Sequence, residues 1–312
     1  MTDLLALIVP IFVLVGVGFA AVRTGFVPEQ LTQALGSFVL NFALPALILN
    51  ALLKQDLRQT LSWGYILAYA AGSLAVFLAV LLFQRAAMKR PLPHAAIAAL
   101  GGSGSNSGFV GFPVASLALG TPALTALPLT MLVENILIIP LALALGEMGL
   151  QKGQGLGAVL RNTVLRLSRT PLILAIFLGA ILSAAGLHLP GPLSTSLDMM
   201  AGASVPCALF AVGGTLAGLR AGSLTADVPV IVVAKLILHP LAVAGAFMLT
   251  GDVPPGLMAA GLILASSPML TVYPLLGARF GYDRVGAAAL LAATTLSFVT
   301  LAIVLGLVLP AG

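Results

Sequence analysis

Almost all the charge in this chain lies in short gaps between long apolar runs, and that segregation leaves few folds open. The runs cover residues 4–22, 31–53, 62–83, 95–119, 122–145, 171–187, 193–218, 228–250, 256–278 and 285–309. A helix needs about 20 mostly apolar residues to cross a bilayer. Inside lipid every backbone polar group must find a partner within the protein, so only helices and closed barrels cross it. Runs of this length without period-2 alternation are helices. Charged residues make up 7% of the 312, against roughly 25% in a soluble domain, too few to cover a water-facing globule. The expected fold is an all-α polytopic membrane protein of ten transmembrane helices with short loops. The first run has no basic residue before it, only Asp3, and reads as a retained span rather than a signal peptide.

The loops set an orientation. Those after spans 1, 3, 5, 7 and 9 hold Arg23; Arg85, Lys89 and Arg90; Lys152, Arg161, Arg166 and Arg169; Arg220; and Arg279 and Arg284. The opposite side holds only Lys54 and Arg58. Basic residues collect on the cytoplasmic side, so both termini are expected outside a bacterial inner membrane. This distribution also explains the net charge of +5 without invoking nucleic acid. The long loop 146–170 then divides a first five-helix repeat, 1–145, from a second, 171–312. A shift of 161 positions aligns Pro10 with Pro171, Gly18 with Gly179, Gly25 with Gly186 and Pro45 with Pro206. The same shift aligns Ser62 with Ser223, Pro113 with Pro274 and Gly120 with Gly281. An odd number of spans per unit inverts the second copy, a recurring plan of secondary transporters.

Two matching spans carry helix breakers. The fourth reads Gly101-Gly102-Ser103-Gly104-Ser105-Asn106-Ser107-Gly108 and ends its polar stretch before Pro113. The ninth reads Ser266-Ser267-Pro268-Met269-Leu270-Thr271 and continues to Pro274. Glycine costs about 1 kcal/mol and proline about 3 in a helix interior, so both spans are expected to be interrupted. Paired interruptions in two halves point to a transporter's binding site, and the free N–H groups of a half-helix favour an anion. Ser105, Asn106, Ser107, Gly108, Ser266, Ser267, Pro268 and Thr271 are therefore candidate substrate ligands. Close helix packing is the competing explanation for Gly101, Gly102 and Gly104. Pro45 and Pro206 form a second matched pair. Asn41, one turn before Pro45, either satisfies backbone groups freed by a kink or meets a ligand.

Ionisable residues within spans are costly and commonly functional. Glu134 lies about 18 Å into the fifth span, and Lys235 and His239 share a face of the eighth, about 10 and 16 Å deep. They are either a static pair that neutralises buried charge and locks helices together or a proton or cation relay, an ion-coupling site that changes partner. Asp198 reads as a boundary charge, Cys207 as a small buried hydrophobe, and His94 and His188 as interface residues. With one cysteine, no His-Glu-x-x-His and no phosphate-binding glycine loop, no metal, cofactor or enzymatic activity is expected.

The whole chain resembles the auxin efflux carrier family, in its bacterial branch of malonate and other organic-acid carriers. The resemblance rests on the order of Pro10, Gly18, Arg23, Gly25 and Phe26; Asn41 to Leu47; Asn106 to Pro113; Lys235 to Pro240; and Val272 to Pro274 with Arg279 to Gly281. It implies the fold of bile-acid-type sodium symporters, with spans 4 and 9 crossing. Spans 1, 2, 6 and 7 would be a scaffold and the other six a moving unit in an elevator-type cycle. It also implies a small carboxylate substrate. This chain departs from the plant auxin exporters in lacking their long central hydrophilic loop, and its serine-rich crossover, Ser103 to Ser107, does not decide between H⁺ and Na⁺ coupling. The expected function is secondary active transport of a small organic anion, mono- or dicarboxylate, with the lipid bilayer as surroundings and a homodimer left open. A passive channel or an accessory membrane subunit is the alternative.

Overall fold

The computed structural model describes residues 2–54, 62–150, 170–187, 189–218 and 225–309. The helices are α1 (Thr2–Arg23), α2 (Glu29–Lys54), α3 (Trp63–Ala86), α4 (Leu92–Ser103), α5 (107–119) and α6 (Thr121–Gly149). They continue as α7 (Pro171–Ala184), α8 (Gly191–Gly218), α9 (Asp227–Thr250), α10 (Pro255–Ser266), α11 (Tyr273–Ala278) and α12 (Asp283–Val308). No strand occurs among the described residues. Six of these helices, α2, α3, α6, α8, α9 and α12, are long and apolar enough to cross a membrane. The expected fourth and ninth spans are each two helices, α4 with α5 and α10 with α11. Most of loop 146–170 lies outside the described residues, as do Arg58, Lys152, Arg161, Arg166, Arg169, His188 and Arg220; residues 146–149 belong to α6.

The helices pack in two groups. In one, α1 lies along α8, and α2 lies against α7 and α8. In the other, α3 packs on α4 and α9, α4 on α6, and α10 on α6, α9 and α12. Glycine permits the closest approaches. A Cβ at Gly213 of α8 would strike the Val15 carbonyl of α1, and one at Gly18 of α1 the Phe210 carbonyl of α8. In the second group a Cβ at Gly72 of α3 would lie 2.7 Å from Val243 Cα of α9. Small residues let membrane helices come together in this way, where van der Waals packing replaces the hydrophobic effect as the driving force. Gly101 and Gly102 likewise face Tyr273, and Val80 with Ala234, across helices, whereas Gly104 lies against Leu100 of its own helix as well as Leu270.

Proline places four local widenings of the helices. A five-residue π-turn occupies Val39–Ala43, Ser107–Gly111, Glu134–Ile138 and Ala234–Leu238. In each case a proline stands two residues beyond the turn: Pro45, Pro113, Pro140 and Pro240. A proline ring lacks the N–H for the carbonyl four residues earlier and collides with it in a regular helix. Each of those carbonyls falls inside a π-turn, where the wider ladder makes room; thus Gly111 N donates to Asn106 O, five residues back, at 3.0 Å. Pro10 and Pro128 sit inside α1 and α6 without such a turn, so proline alone is not sufficient. Pro206 follows a break at Ala203 within α8.

Glycines related by the 161-residue shift share a left-handed backbone: Gly25 and Gly186 have φ of 76° and 63°, Gly120 and Gly281 of 65° and 69°. Of the matched polar positions at helix ends, Ser62 accepts from Tyr65 N and caps α3.

The close α1–α8 crossing predicts that Gly213→Ala lowers thermal stability in detergent by an amount in the range of core overpacking, about 1–3 kcal/mol. Gly16→Ala on α1, where no atom lies within 4 Å of the added carbon, serves as the control and leaves the melting temperature unchanged.

Candidate functional site

Both interrupted spans break where the sequence concentrates glycine, serine and proline, and the two breaks touch. After α4 the chain is extended at Gly104 (φ −91°, ψ 133°) and turns at Asn106 before α5 begins. After α10 it is extended at Ser267 (φ −67°, ψ 157°). Asn106 joins them twice. Its backbone N donates to Pro268 O at 2.7 Å, and its Nδ2 donates to Thr271 Oγ1 at 2.7 Å. Irregular backbone at membrane depth persists only when buried in protein or lining a cavity. Here it is buried, with Asn106 4% exposed and Ser105, Ser266 and Ser267 fully covered.

Glu134 comes to this junction from α6, at the first position of a π-turn. Its Oε1 accepts from Ser107 Oγ at 2.8 Å and from Ser105 N at 3.1 Å, and Tyr69 OH stands 3.5 Å away. The break ahead of the α5 half-helix, expected to attract an anion, thus has the protein's own carboxylate, held by the Ser105 amide and by the hydroxyl of Ser107, the first residue of α5. Negative charge beside a helix start is also favoured by the helix dipole.

Lys235 arrives from α9, also within a π-turn, and is completely buried. An ammonium has three protons, and Nζ has three acceptors: Ser105 Oγ at 2.9 Å, Ala265 O at 2.6 Å and His239 Nδ1 at 2.9 Å. With Nδ1 as that acceptor, a neutral imidazole carries its proton on Nε2, 2.9 Å from Ser73 Oγ; Nδ1 also lies 3.2 Å from Ala265 O, the contact the other tautomer would use. The imidazole stands edge-on to Tyr69, with ring centroids 5.9 Å apart. The carbonyl of Ala265 is available because α10 ends one residue later, leaving its last carbonyls without helical partners.

Glu134 and Lys235 do not form a direct ion pair. Among the described residues the ion pairs are Lys54–Asp198, Arg90–Asp227 and Arg279–Glu147. Ser105 stands between the two buried charges instead, its N–H on Glu134 and its hydroxyl on Lys235. The backbone of the broken fourth span is the link.

Other candidates lie elsewhere or turn inward. Ser266 and Ser267 hydroxyls return to the carbonyls of Leu262 and Leu264 of their own helix. Gly108 sits under Leu44 Cδ1 and Met131 Cε, 2.8 and 3.2 Å from where a Cβ would be. Pro45 is buried; Pro206 is exposed. Asn41 is exposed, and its Nδ2 donates to Ser37 O at 2.8 Å and Ser37 Oγ at 3.0 Å, inside the π-turn before Pro45. Asp198, expected as a boundary charge, accepts from Lys54 Nζ and Asn50 Nδ2, both at 2.6 Å, near an exposed surface. His94 Nε2 lies 3.1 Å from Phe280 O.

Tyr69 and Ser73 were not among the residues singled out from the sequence. Their signal is plain in retrospect: two hydroxyls one helical turn apart, both fully buried, with Tyr65 a third one turn earlier on α3. A polar pair at i, i+4 shares one face, and that face meets α9.

The helices and this charged junction define a polytopic protein with a buried polar site at membrane depth. Comparison with known proteins places it further. Residues 3–305 match the membrane transport protein family, so the chain belongs to that family, the one that includes the auxin efflux carriers. It is 29% identical to the "Putative malonate transporter" of Rhizobium meliloti (strain 1021) over 296 residues, 95% of this chain and 92% of that protein. It is 28% identical over 320 residues to the "Uncharacterized transporter YfdV" of Escherichia coli (strain K12), covering 95% and 94% of the two chains. An "Uncharacterized transporter" of Methanothermobacter thermautotrophicus shares 26% identity over 240 residues, 76% of each chain.

The bridged network makes a thermodynamic forecast. Removing one member of a buried charge pair costs about 3–5 kcal/mol, because the other charge is left uncompensated. Lys235→Met or Glu134→Gln alone therefore lowers the melting temperature of the detergent-solubilised protein, and the double variant is more stable than either single one. Additive losses in the double variant would show that the two groups do not interact through Ser105.

Proposed function

We propose that this chain is a secondary carrier for a small organic anion, a mono- or dicarboxylate of the malonate type. The observation that carries the reading is the seat of Glu134 in the break before α5, on the Ser105 N–H and the Ser107 hydroxyl. A site that holds a carboxylate on Ser105 N–H and Ser107 hydroxyl, with the Lys235 ammonium one serine away, has the donors a substrate carboxylate requires. Glu134 is then an internal stand-in for that substrate. An incoming anion displaces it, and Glu134 takes a proton so that two negative charges do not share the site. Proton and anion would bind together, which couples the substrate to a proton gradient; Na⁺ coupling is the competing assignment. Asn106, through Pro268 O and Thr271, keeps the two breaks in register around the site. The 29% identity to a protein named for malonate transport supports the substrate class.

The cycle fits the two packing groups. Helices α1, α2, α7 and α8 would be the scaffold, and the other helices, which carry the junction, the unit that moves. The shared left-handed glycines at the 161-residue offset, Gly25 with Gly186 and Gly120 with Gly281, support two inverted five-helix repeats, 1–145 and 171–312. With the basic loops on the cytoplasmic side, both termini lie outside the inner membrane.

Purified protein in liposomes tests the reading, with a panel of acetate, malonate and succinate and internal and external pH set from about 5.5 to 8. Saturable uptake with counterflow, accelerated by an inward proton gradient, is the expected result. Ohmic, unsaturable current would indicate a channel, and no flux from folded protein would indicate an accessory subunit. Glu134→Gln should still bind the anion but lose the pH dependence of its flux. If Glu134→Gln with Lys235→Met transports at the unaltered rate with the same pH profile, the charges are structural and the coupling assignment fails.

A further inference from the structure

An apolar groove on the outside of the second packing group has no role in the charged junction. It has a volume of about 470 Å³, within the roughly 300–1,000 Å³ of ligand clefts. Val80 and Phe83 of α3 line one side, and Pro229, Val230, Val233 and Leu238 of α9 the other. Helices α3 and α9 meet backbone to backbone at Gly72 and Val243 and leave the groove open toward the α3 C-terminus. Gly102 of α4 lies beneath it, because a Cβ there would sit 3.1 Å from both Val80 and Ala234. Phe83, Val233 and Leu238 are exposed on two helices long enough to cross a membrane. What fills such a groove at that depth is hydrocarbon.

The end of the groove is cationic. After α3 the chain folds back, with Ala87 N and Met88 N both donating to Phe83 O, and Arg90 N donating to Gln84 O. This turn brings Arg90 across to Asp227, the first residue of α9. Nε donates to Oδ1 at 3.0 Å and an Nη to Oδ2 at 2.8 Å. Asp227 is buried and has both oxygens engaged, whereas the Arg90 side chain remains 37% exposed. Lys89 is exposed beside it, and Arg85, in the last turn of α3, donates to Arg90 O. One buried carboxylate against three basic groups leaves positive charge at the mouth, where α3 emerges at headgroup level.

We propose that this groove is a binding site for an anionic phospholipid. One acyl chain lies between α3 and α9, and the headgroup phosphate sits on Lys89 and the exposed edge of Arg90. Basic clefts between transmembrane helices recognise anionic headgroups in this way. The site is separate from the carboxylate junction, although its wall residue Ala234 adjoins Lys235 in α9.

The chain's single tryptophan, Trp63, begins α3 at the opposite end, so a reporter can be placed cleanly. Trp63→Phe with Phe83→Trp puts the only indole at the groove. The protein is reconstituted in bilayers containing brominated phosphatidylglycerol or brominated phosphatidylcholine, and quenching gives their relative affinity. The expected preference for phosphatidylglycerol is about fivefold, the effect of roughly one surface cation. Lys89→Asn should abolish it; asparagine suits the left-handed φ of 54° at this position, so folding is spared. In the unaltered chain, native mass spectra should retain a phosphatidylglycerol adduct that Lys89→Asn loses. Equal quenching by the two lipids would overturn the proposal. So would no quenching by either, which would mean that protein covers the groove. A preference unchanged by Lys89→Asn would overturn the headgroup placement.

Discussion

The structure depends on one contact, the carboxylate of Glu134 on the broken end of the fourth span. A charge at the bilayer centre costs about 2.5–3.5 kcal/mol on insertion scales, and an exposed amide at the same depth is also unfavourable. Here the two liabilities cancel: Ser105 N–H and Ser107 hydroxyl satisfy the carboxylate, and the carboxylate satisfies the Ser105 amide in the break before α5. Lys235 is treated likewise. It donates to Ala265 at the broken end of α10, to Ser105 and to His239. Each buried charge is thus seated at a helix interruption, and Ser105 belongs to both seats. Moving either break would disturb both charges, which makes the arrangement suited to a conformational cycle.

Proline explains how long helices deliver these side chains. The π-turns before Pro140 and Pro240 begin at Glu134 and at Ala234, next to Lys235. Each turn inserts one extra residue and so rotates the helix on one side of it relative to the other. Single π-turns inside α-helices are frequent at functional sites, and here two of the four carry Glu134 and Lys235. The same chemistry recurs at Pro113, where the π-turn starts with Ser107, a ligand of Glu134. Only at Pro45 does the widened turn serve an exposed residue, Asn41, whose amide bonds within its own helix.

Much of this was legible in the sequence because membrane insertion writes its constraints in composition. Apolar run length marked the helices, and Gly104 and Pro268 marked the interruptions within a few residues. Counting at a fixed rise per residue put Glu134 and His239 level, with Lys235 one turn away, and the contacts bring the three to one junction. What was not legible is which atoms meet. Spacing along α6 and α9 says nothing of a serine from a third segment, so the Glu134–Lys235 relation read as a pair when it is bridged by Ser105. Tyr69 and Ser73 were overlooked because hydroxyls are common in membrane helices and carry no charge to draw notice. The anion expected at the half-helix was taken to be external, since helix dipoles attract any carboxylate and sequence alone cannot rank an internal one. Asp227 escaped notice for a different reason: it lies at a helix end, where carboxylates are ordinary, and only the fold brings Arg90 to it.

The central claim is that a substrate carboxylate replaces Glu134 and drives a proton onto it. Calorimetry of malonate binding to the detergent-solubilised protein, in buffers of differing ionisation enthalpy at pH 7, counts protons taken up on binding. The account predicts uptake of about one proton per anion, as expected when a buried carboxylate facing a second anion is neutralised, and its loss in Glu134→Gln with binding retained. Malonate binding with no proton uptake, or with the same uptake in Glu134→Gln, would contradict it.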